Sequence, residues 1–248
     1  MTTTGVVHLV GGGPGDPELL TVKGKRLIES ADVIVYDALI DKSLLDLNPE
    51  AEHIDVGKRG GNHKMSQSDI NALLCRLAAQ GSNVVRLKGG DPFLFGRGAE
   101  EAESLRKAGL EVHVVPGISS AISVPELCGI PVTHRDHASM VTFVTGHERS
   151  DRDNDRLDWG KLAECGGTIV VLMGMGNIPR ISKALVDGGM PSSTPVAVIV
   201  NGSTPRQKVL RTTISRAADD VEANGMKAPG IIVIGGCVTT MDVLGDMG

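Results

Sequence analysis

Five short glycine-rich bends are the features of this chain best suited to hold a ligand. They read GGGPG (11–15), KGGDP (88–92), PGISS (116–120), MGMGN (173–177) and NGSTP (201–205), and each directly follows an apolar, strand-like run. A bend with few side chains lets a ligand reach backbone N–H and C=O groups, and in open α/β sheets ligands bind outside the carboxyl ends of the strands. One such bend is an ordinary turn, whereas five at strand ends point to a shared ligand crevice. The first is not the G-x-G-x-x-G dinucleotide fingerprint, because Pro14 interrupts it and the final spacing differs. Two carboxylates stand at these ends. Asp37 closes the run VIVYD and either caps a turn or faces the crevice. Asp91, inside KGGDP, either shapes its turn or bonds a ligand. The seven His are scattered with no metal-ligand spacing, and no metal is expected. Cys75, Cys128, Cys165 and Cys237 form no C-x-x-C pair and read as buried free thiols.

The elements that must position these residues alternate along the chain. Strand-like runs occupy 6–10, 32–37, 83–87, 111–115, 140–145, 168–173, 196–200, 208–213 and 231–234. A helix is expected from Pro17, with Asp16 as its N-cap and Leu19, Leu20, Leu27 and Ile28 on its apolar face. Ser66 and Asp69 form a capping-box pattern for a second helix that Gly81 ends. Further helices are expected at 97–108, 177–186 and 214–223, and the charge-dense stretch 148–158 reads as an exposed loop. The result is an α/β protein of two domains, each a largely parallel or mixed sheet flanked by helices. The polar, Pro-containing stretch near 130–137 places the boundary between 1–135 and 136–248.

Composition agrees with that class. The 248 residues are 41% hydrophobic but only 2% aromatic, with 32 Gly, which suits an aliphatic core and many tight turns. A net charge of −5 gives no reason to expect a nucleic-acid partner. No run of about 18 apolar residues suggests a membrane span. The N-terminus lacks the basic flank of a secretory signal, so a cytoplasmic location is expected.

The segments VVHLVGGGPGDPELLT (6–21), ADVIVYDALI (31–40), VGKRGGNH (56–63), VVRLKGGDPFLFGRGAEE (84–101), VVPGISSA (114–121), GIPVTHRD (129–136), VTGH (144–147) and VIVNGST (198–204) closely resemble the uroporphyrinogen-III C-methyltransferases of the tetrapyrrole methylase family. The likeness runs from about residue 6 to about 240. It implies the two-domain fold of that family, an active site in the cleft between domains, and a homodimer. It also implies a cofactor, S-adenosyl-L-methionine, converted to S-adenosyl-L-homocysteine. By position, the cofactor would be held by Pro14, Gly89, Gly90, Asp91, Leu94, Ser119, Ser120, Met173, Gly202 and Gly230.

The implied substrate, uroporphyrinogen III, is a polycarboxylate, so an acidic protein needs a local basic surface to bind it. Lys58, Arg59, His63, Lys64, Arg86, Lys88, Arg97, His134 and Arg135 all lie in or beside the resembling loops. Among them Arg59, His63, Arg97, His134 and Arg135 are the candidate substrate ligands, since a guanidinium grips a carboxylate by two parallel hydrogen bonds. The resemblance makes Asp37 a general base and Lys58 a proton donor or substrate anchor. The implied reaction is C-methylation at C2 and C7, giving precorrin-2 through precorrin-1 for sirohaem or cobalamin. Three alternatives stand beside it: a methyltransferase acting on a later precorrin, a diphthine-synthase-like protein methyltransferase, and an adenosine-ligand-binding protein without turnover. The GKRGGNH and FGRG strings argue against the first, and the many basic residues argue against the second.

Overall fold

The structure, a computed structural model, describes residues 4–57, 65–146 and 157–248. The chain divides into two compact units, Met1–Ser119 and Ser120–Gly248.

The first unit runs β1 (Val6–Gly11), α1 (Val22–Glu29), β2 (Val33–Tyr36), β3 (Glu52–Asp55), α2 (Gln67–Ala79), β4 (Asn83–Lys88), α3 (Gly98–Lys107) and β5 (Glu111–Val115). Its five strands are all parallel, in the order β3-β2-β4-β1-β5. Successive side chains point to opposite faces, and both faces are apolar. Val33, Val35, Val84 and Leu9 pack with Leu73, Leu74 and Leu77 of α2 and Leu105 of α3. Ile34, Tyr36, Val85 and Leu87 pack with Ile28 of α1 and with Leu44 and Leu45. This two-sided burial is why the strands read as continuous apolar runs. Truncating wholly buried Leu74 to Ala should cost about 2–5 kcal/mol.

The capping box of α2 is present: Ser66 Oγ accepts from Asp69 N at 3.1 Å, and Asp69 Oδ2 accepts from Ser66 N at 3.2 Å. The helix expected from Pro17 is instead two pieces. Asp16 caps a single 3-10 turn, Pro17–Leu19, whose C-cap Leu20 is extended. Thr21 then caps α1 by accepting from Gly24 N at 3.1 Å. The second cap wins because Thr21 has the extended backbone and side-chain oxygen that start a helix afresh. Strand β3 escapes sequence reading because its residues, EHID, lie at the sheet edge and are mostly exposed.

The second unit contains α4 (Ser120–Leu127), β6 (Val141–Thr145), α5 (Trp159–Cys165), β7 (Thr168–Leu172), α6 (Ile178–Asp187), β8 (Pro195–Val200), β9 (Lys208–Thr213), α7 (Ala217–Ala223), β10 (Gly230–Ile234) and α8 (Met241–Leu244). Its sheet is mixed, in the order β6-β7-β10-β8-β9, with β10 antiparallel to both β7 and β8. Ile169, Val171, Val198 and Ile232 pack with Trp159 of α5 and with Ile178, Ile181 and Leu185 of α6. Helix α4 contacts β7 and β10 in this unit, and Thr240 Oγ1 donates to Gly129 O at 2.8 Å. The division therefore falls at 119/120, earlier than the 135/136 expected from the polar stretch.

Cys128 and Cys237 are buried as expected, Cys75 is half-buried, and Cys165, the last residue of α5, is exposed. Among the described residues no helix is long and apolar enough to cross a membrane.

Candidate active site

Because the first sheet is all parallel, the carboxyl ends of β1, β4 and β5 meet at one edge, and three of the five glycine bends lie there side by side. The bends are bonded to each other. Gly12 N donates to Lys88 O at 2.7 Å, and Gly13 and Gly90 exchange N–H···O bonds of 3.3 and 2.6 Å. Their glycines are required by close backbone approach. A Cβ on Gly117 would stand 2.2 Å from Gly90 O, and one on Gly11 would stand 2.5 Å from Gly117 Cα.

Asp91 completes this seam. Its Oδ1 accepts from Phe93 N at 2.8 Å and from Leu94 N at 3.0 Å, while Oδ2 accepts from Gly117 N at 3.1 Å. Of the two readings the sequence left open, turn-shaping is the one the structure displays. Pro14, Gly89, Gly90, Asp91 and Ser119 stand on these three bends, and Leu94 lies two residues past the second. Among residues the sequence reading passed over, exposed Ile118 stands on the third bend and exposed Phe93 and Phe95 flank Leu94. Phe95 and Arg97 have φ of 55° and 58°, a conformation that non-glycine residues seldom adopt and that tends to collect at functional sites.

Asp37 ends β2 at the same edge, its N–H bonded to Leu87 O at 3.3 Å. Its Oδ1 accepts from Arg86 Nη2 at 2.6 Å, and its Oδ2 lies 3.7 Å from Lys88 Nζ. Both cations also meet Glu101 Oε1, Arg86 through Nε at 3.2 Å and Lys88 through Nζ at 3.1 Å. The expectation that Arg86 and Lys88 belong to an open basic surface is therefore corrected: they are 1% and 3% exposed. They sit two apart on β4 and point together beneath α2 and α3, where Glu101 pairs with both. Burial above all, and then the Arg86 charge, push the Lys88 ammonium below its ordinary range, against the pull of Glu101 and Asp37. Glu101 itself was missed. The available signal was its spacing, four residues before buried Leu105 on α3, which puts a carboxylate on the helix's inner face.

The candidate substrate ligands are placed less uniformly. Arg97 is held in two hydrogen bonds by Glu100, at 2.9 and 2.8 Å, and these raise its already high pKa. His134 lies in a turn where its N–H donates to Ala138 O at 2.9 Å and its Nδ1 accepts from Asp136 N at 3.1 Å. Its ring is 4.8 Å from that of His137, and Arg135 beside it is exposed. Lys58, Arg59, His63 and Lys64, and most of the charged loop at 148–158, lie outside the described residues.

In the second unit, β7 and β8 end, and β10 begins, at one edge of the sheet. Met173, Gly202 and Gly230 stand there. Three neighbouring residues share the rare positive φ: Met173 at 56°, Asn201 at 49° and Ser203 at 59°. The bends are again braced, here by side chains. Asn177 Nδ2 donates to Gly146 O at 2.6 Å, and Ser203 N donates to Gln207 Oε1 at 2.8 Å. A Cβ on Gly202 would stand 2.3 Å from Val124 Cγ1 of α4, the helix that Ser120 opens. Among the described residues, no group of three or more His, Cys, Asp and Glu side chains is placed to hold a metal ion.

Residues 6–218 match the tetrapyrrole (corrin/porphyrin) methylases. An S-adenosyl-L-methionine-dependent uroporphyrinogen III methyltransferase of Methanosarcina barkeri is 53% identical, over 98% of this chain and 95% of that protein. A uroporphyrinogen-III C-methyltransferase of Synechocystis is 48% identical, over 94% of this chain and 89% of its own length. Among solved structures, the uroporphyrin-III C-methyltransferase of Thermus thermophilus complexed with S-adenyl homocysteine superposes with a TM-score of 0.82. It is 36% identical and covers 98% of this chain and 99% of its own.

Proposed function

Because this chain belongs to the tetrapyrrole methylase family, we propose that it is an S-adenosylmethionine-dependent uroporphyrinogen-III C-methyltransferase. The observation that carries this reading is the bonded seam of glycine bends at the first sheet edge, with Asp37 beside it on β2. The bends fit the cofactor's needs: they offer backbone polar groups at positions where a side chain would clash with the protein's own chain. Pro14, Gly89, Gly90, Leu94 and Ser119 would hold it on the first unit, and Ser120, Met173, Gly202 and Gly230 on the second. Asp91 would contribute through the turn and seam it fixes, because three backbone N–H groups already occupy its carboxylate. When bound, the cofactor supplies a methyl group on a sulfonium, an electrophile open to in-line displacement.

The chain's own residues then have three tasks. The first is alignment of the electron-rich pyrrole carbon, an effect worth about 7–11 kcal/mol in favourable cases. The second is the proton. Asp37, paired with Arg86 and partly open to solvent, takes the proton that the methylated ring loses, and Lys58 donates a proton or anchors the substrate. The third is recognition of the carboxylates by Arg59, His63, Arg97, His134 and Arg135, with Arg97 exchanging Glu100 for the substrate. The finer reading is methylation at C2 and C7, giving precorrin-2 via precorrin-1, by a homodimeric cytoplasmic enzyme serving sirohaem and/or cobalamin synthesis.

The test is direct. Incubated anaerobically with S-adenosylmethionine and uroporphyrinogen III, the protein should yield S-adenosylhomocysteine and a tetrapyrrole heavier by two CH2 units in mass spectrometry, each methyl gained with one proton lost. No S-adenosylhomocysteine with this substrate would remove the activity, and a single added methyl would remove the two-site reading.

A further inference from the structure

The four charges of the cluster at Asp37 are not equally accessible. Glu101 is 0% exposed, Arg86 1% and Lys88 3%, while the Asp37 side chain keeps 32% of its surface open. Glu101 Oε1 accepts from Arg86 Nε, from Lys88 Nζ and from Gln67 Nε2, the last at 3.1 Å. Arg86 Nη1 is fixed as well, by Val35 O at 3.4 Å and Leu87 O at 3.3 Å. The guanidinium plane is thereby set from behind, leaving Nη2 aimed at Asp37. Stability gives little reason for such an arrangement. Sealing three charges in a core is costly, and well-packed apolar replacements are often as stable or more so. The one member of the group open to solvent is the carboxylate read above as the base.

We propose that Glu101 is a positioning residue for the reaction: by holding Arg86 and Lys88 it fixes the orientation of the Asp37 carboxylate and balances the charge around it. The inference rests on the reading of Asp37 as the base. Glu101 touches neither substrate nor cofactor in this scheme. It offsets one of two buried cations and holds both, so that the Asp37 carboxylate they grip keeps one orientation. Removing only its charge leaves that pair of cations unbalanced and the grip on Asp37 less defined.

The experiment is a double-mutant cycle on the full chain, using kcat with S-adenosylmethionine and uroporphyrinogen III, and calorimetry with S-adenosylhomocysteine. Glu101→Gln, near-isosteric, should lower kcat about 10–100-fold and leave substrate KM and S-adenosylhomocysteine affinity within about twofold. On an Asp37→Asn background the same change should cost no more than about threefold, because the residue it acts through is gone. Equal losses on both backgrounds, an unchanged kcat in the single variant, or a fall in cofactor affinity parallel to kcat would each overturn the proposal. Wild-type turnover by Asp37→Asn would instead overturn the base reading, and the inference with it. If Glu101→Gln does not fold, Lys88→Met carries the same cycle, since it removes the other buried link between Glu101 and Asp37. Coupling to Asp37→Asn supports the proposal and additivity overturns it.

Discussion

The two sheets solve one problem, presenting bare backbone at a strand end, by different means. In the first unit all strands run the same way, so adjacent bends bond to each other: Gly13 with Gly90, Gly12 with Lys88, and Gly117 with Asp91. In the second, antiparallel β10 lies between β7 and β8. The bends after β7 and β8 are therefore separated by a strand; they carry left-handed residues such as Met173 and Asn201, and Asn177 ties the first of them to Gly146 just past β6. Strand direction thus decides which bends lie near enough to bond to each other: those after β1, β4 and β5 do, whereas β10 keeps those after β7 and β8 apart.

Variants can break or sharpen that contrast. The largest effect is expected where the first edge carries its chemistry: Asp37→Asn should lower kcat by about 10²–10⁴-fold while S-adenosylhomocysteine affinity by calorimetry stays near wild type. Gly117→Ala should act on the whole seam, because its Cβ would stand 2.2 Å from Gly90 O. Overpacking of this kind costs about 1–3 kcal/mol in urea unfolding, and cofactor affinity should fall with it. Asp91→Ala, which frees three N–H groups, should cost about 0.5–2 kcal/mol and weaken S-adenosylhomocysteine binding; unchanged affinity would show that the seam does not serve the cofactor. Arg135→Ala, in the second unit, should raise the KM for uroporphyrinogen III and leave cofactor affinity unaltered, whereas equal loss of both would indicate misfolding. The smallest effect should come from Asn201→Gly, which relieves a φ of 49° and should raise stability by up to about 1 kcal/mol without touching its neighbours. A broad loss of cofactor binding from that change would contradict the separation of the second edge's bends.

The features legible in the sequence were those with local causes. Glycine bends after apolar runs, the Ser66–Asp69 capping box and Asp37 at the end of VIVYD each follow from a few adjacent residues, and each is in place. What could not be read depends on partners distant in the chain. Arg86 and Lys88 look like surface charges until Glu101, supplied by the following helix, turns them inward. The reversed direction of β10 has no signature in GIIVI, and the edge strand EHID has no apolar run to announce it. Asp91 had two chemically sound roles, and the bonds that make it fix its turn depend on the positions of Phe93, Leu94 and Gly117.

The seam at the first edge has a consequence for the thermodynamics of binding. Amides already engaged with neighbouring carbonyls should exchange slowly with deuterated solvent even before any guest arrives. A rim so preorganised loses little conformational entropy on complex formation, so the ordering penalty should fall mainly on the guest and on the basic side chains that close upon its acid groups.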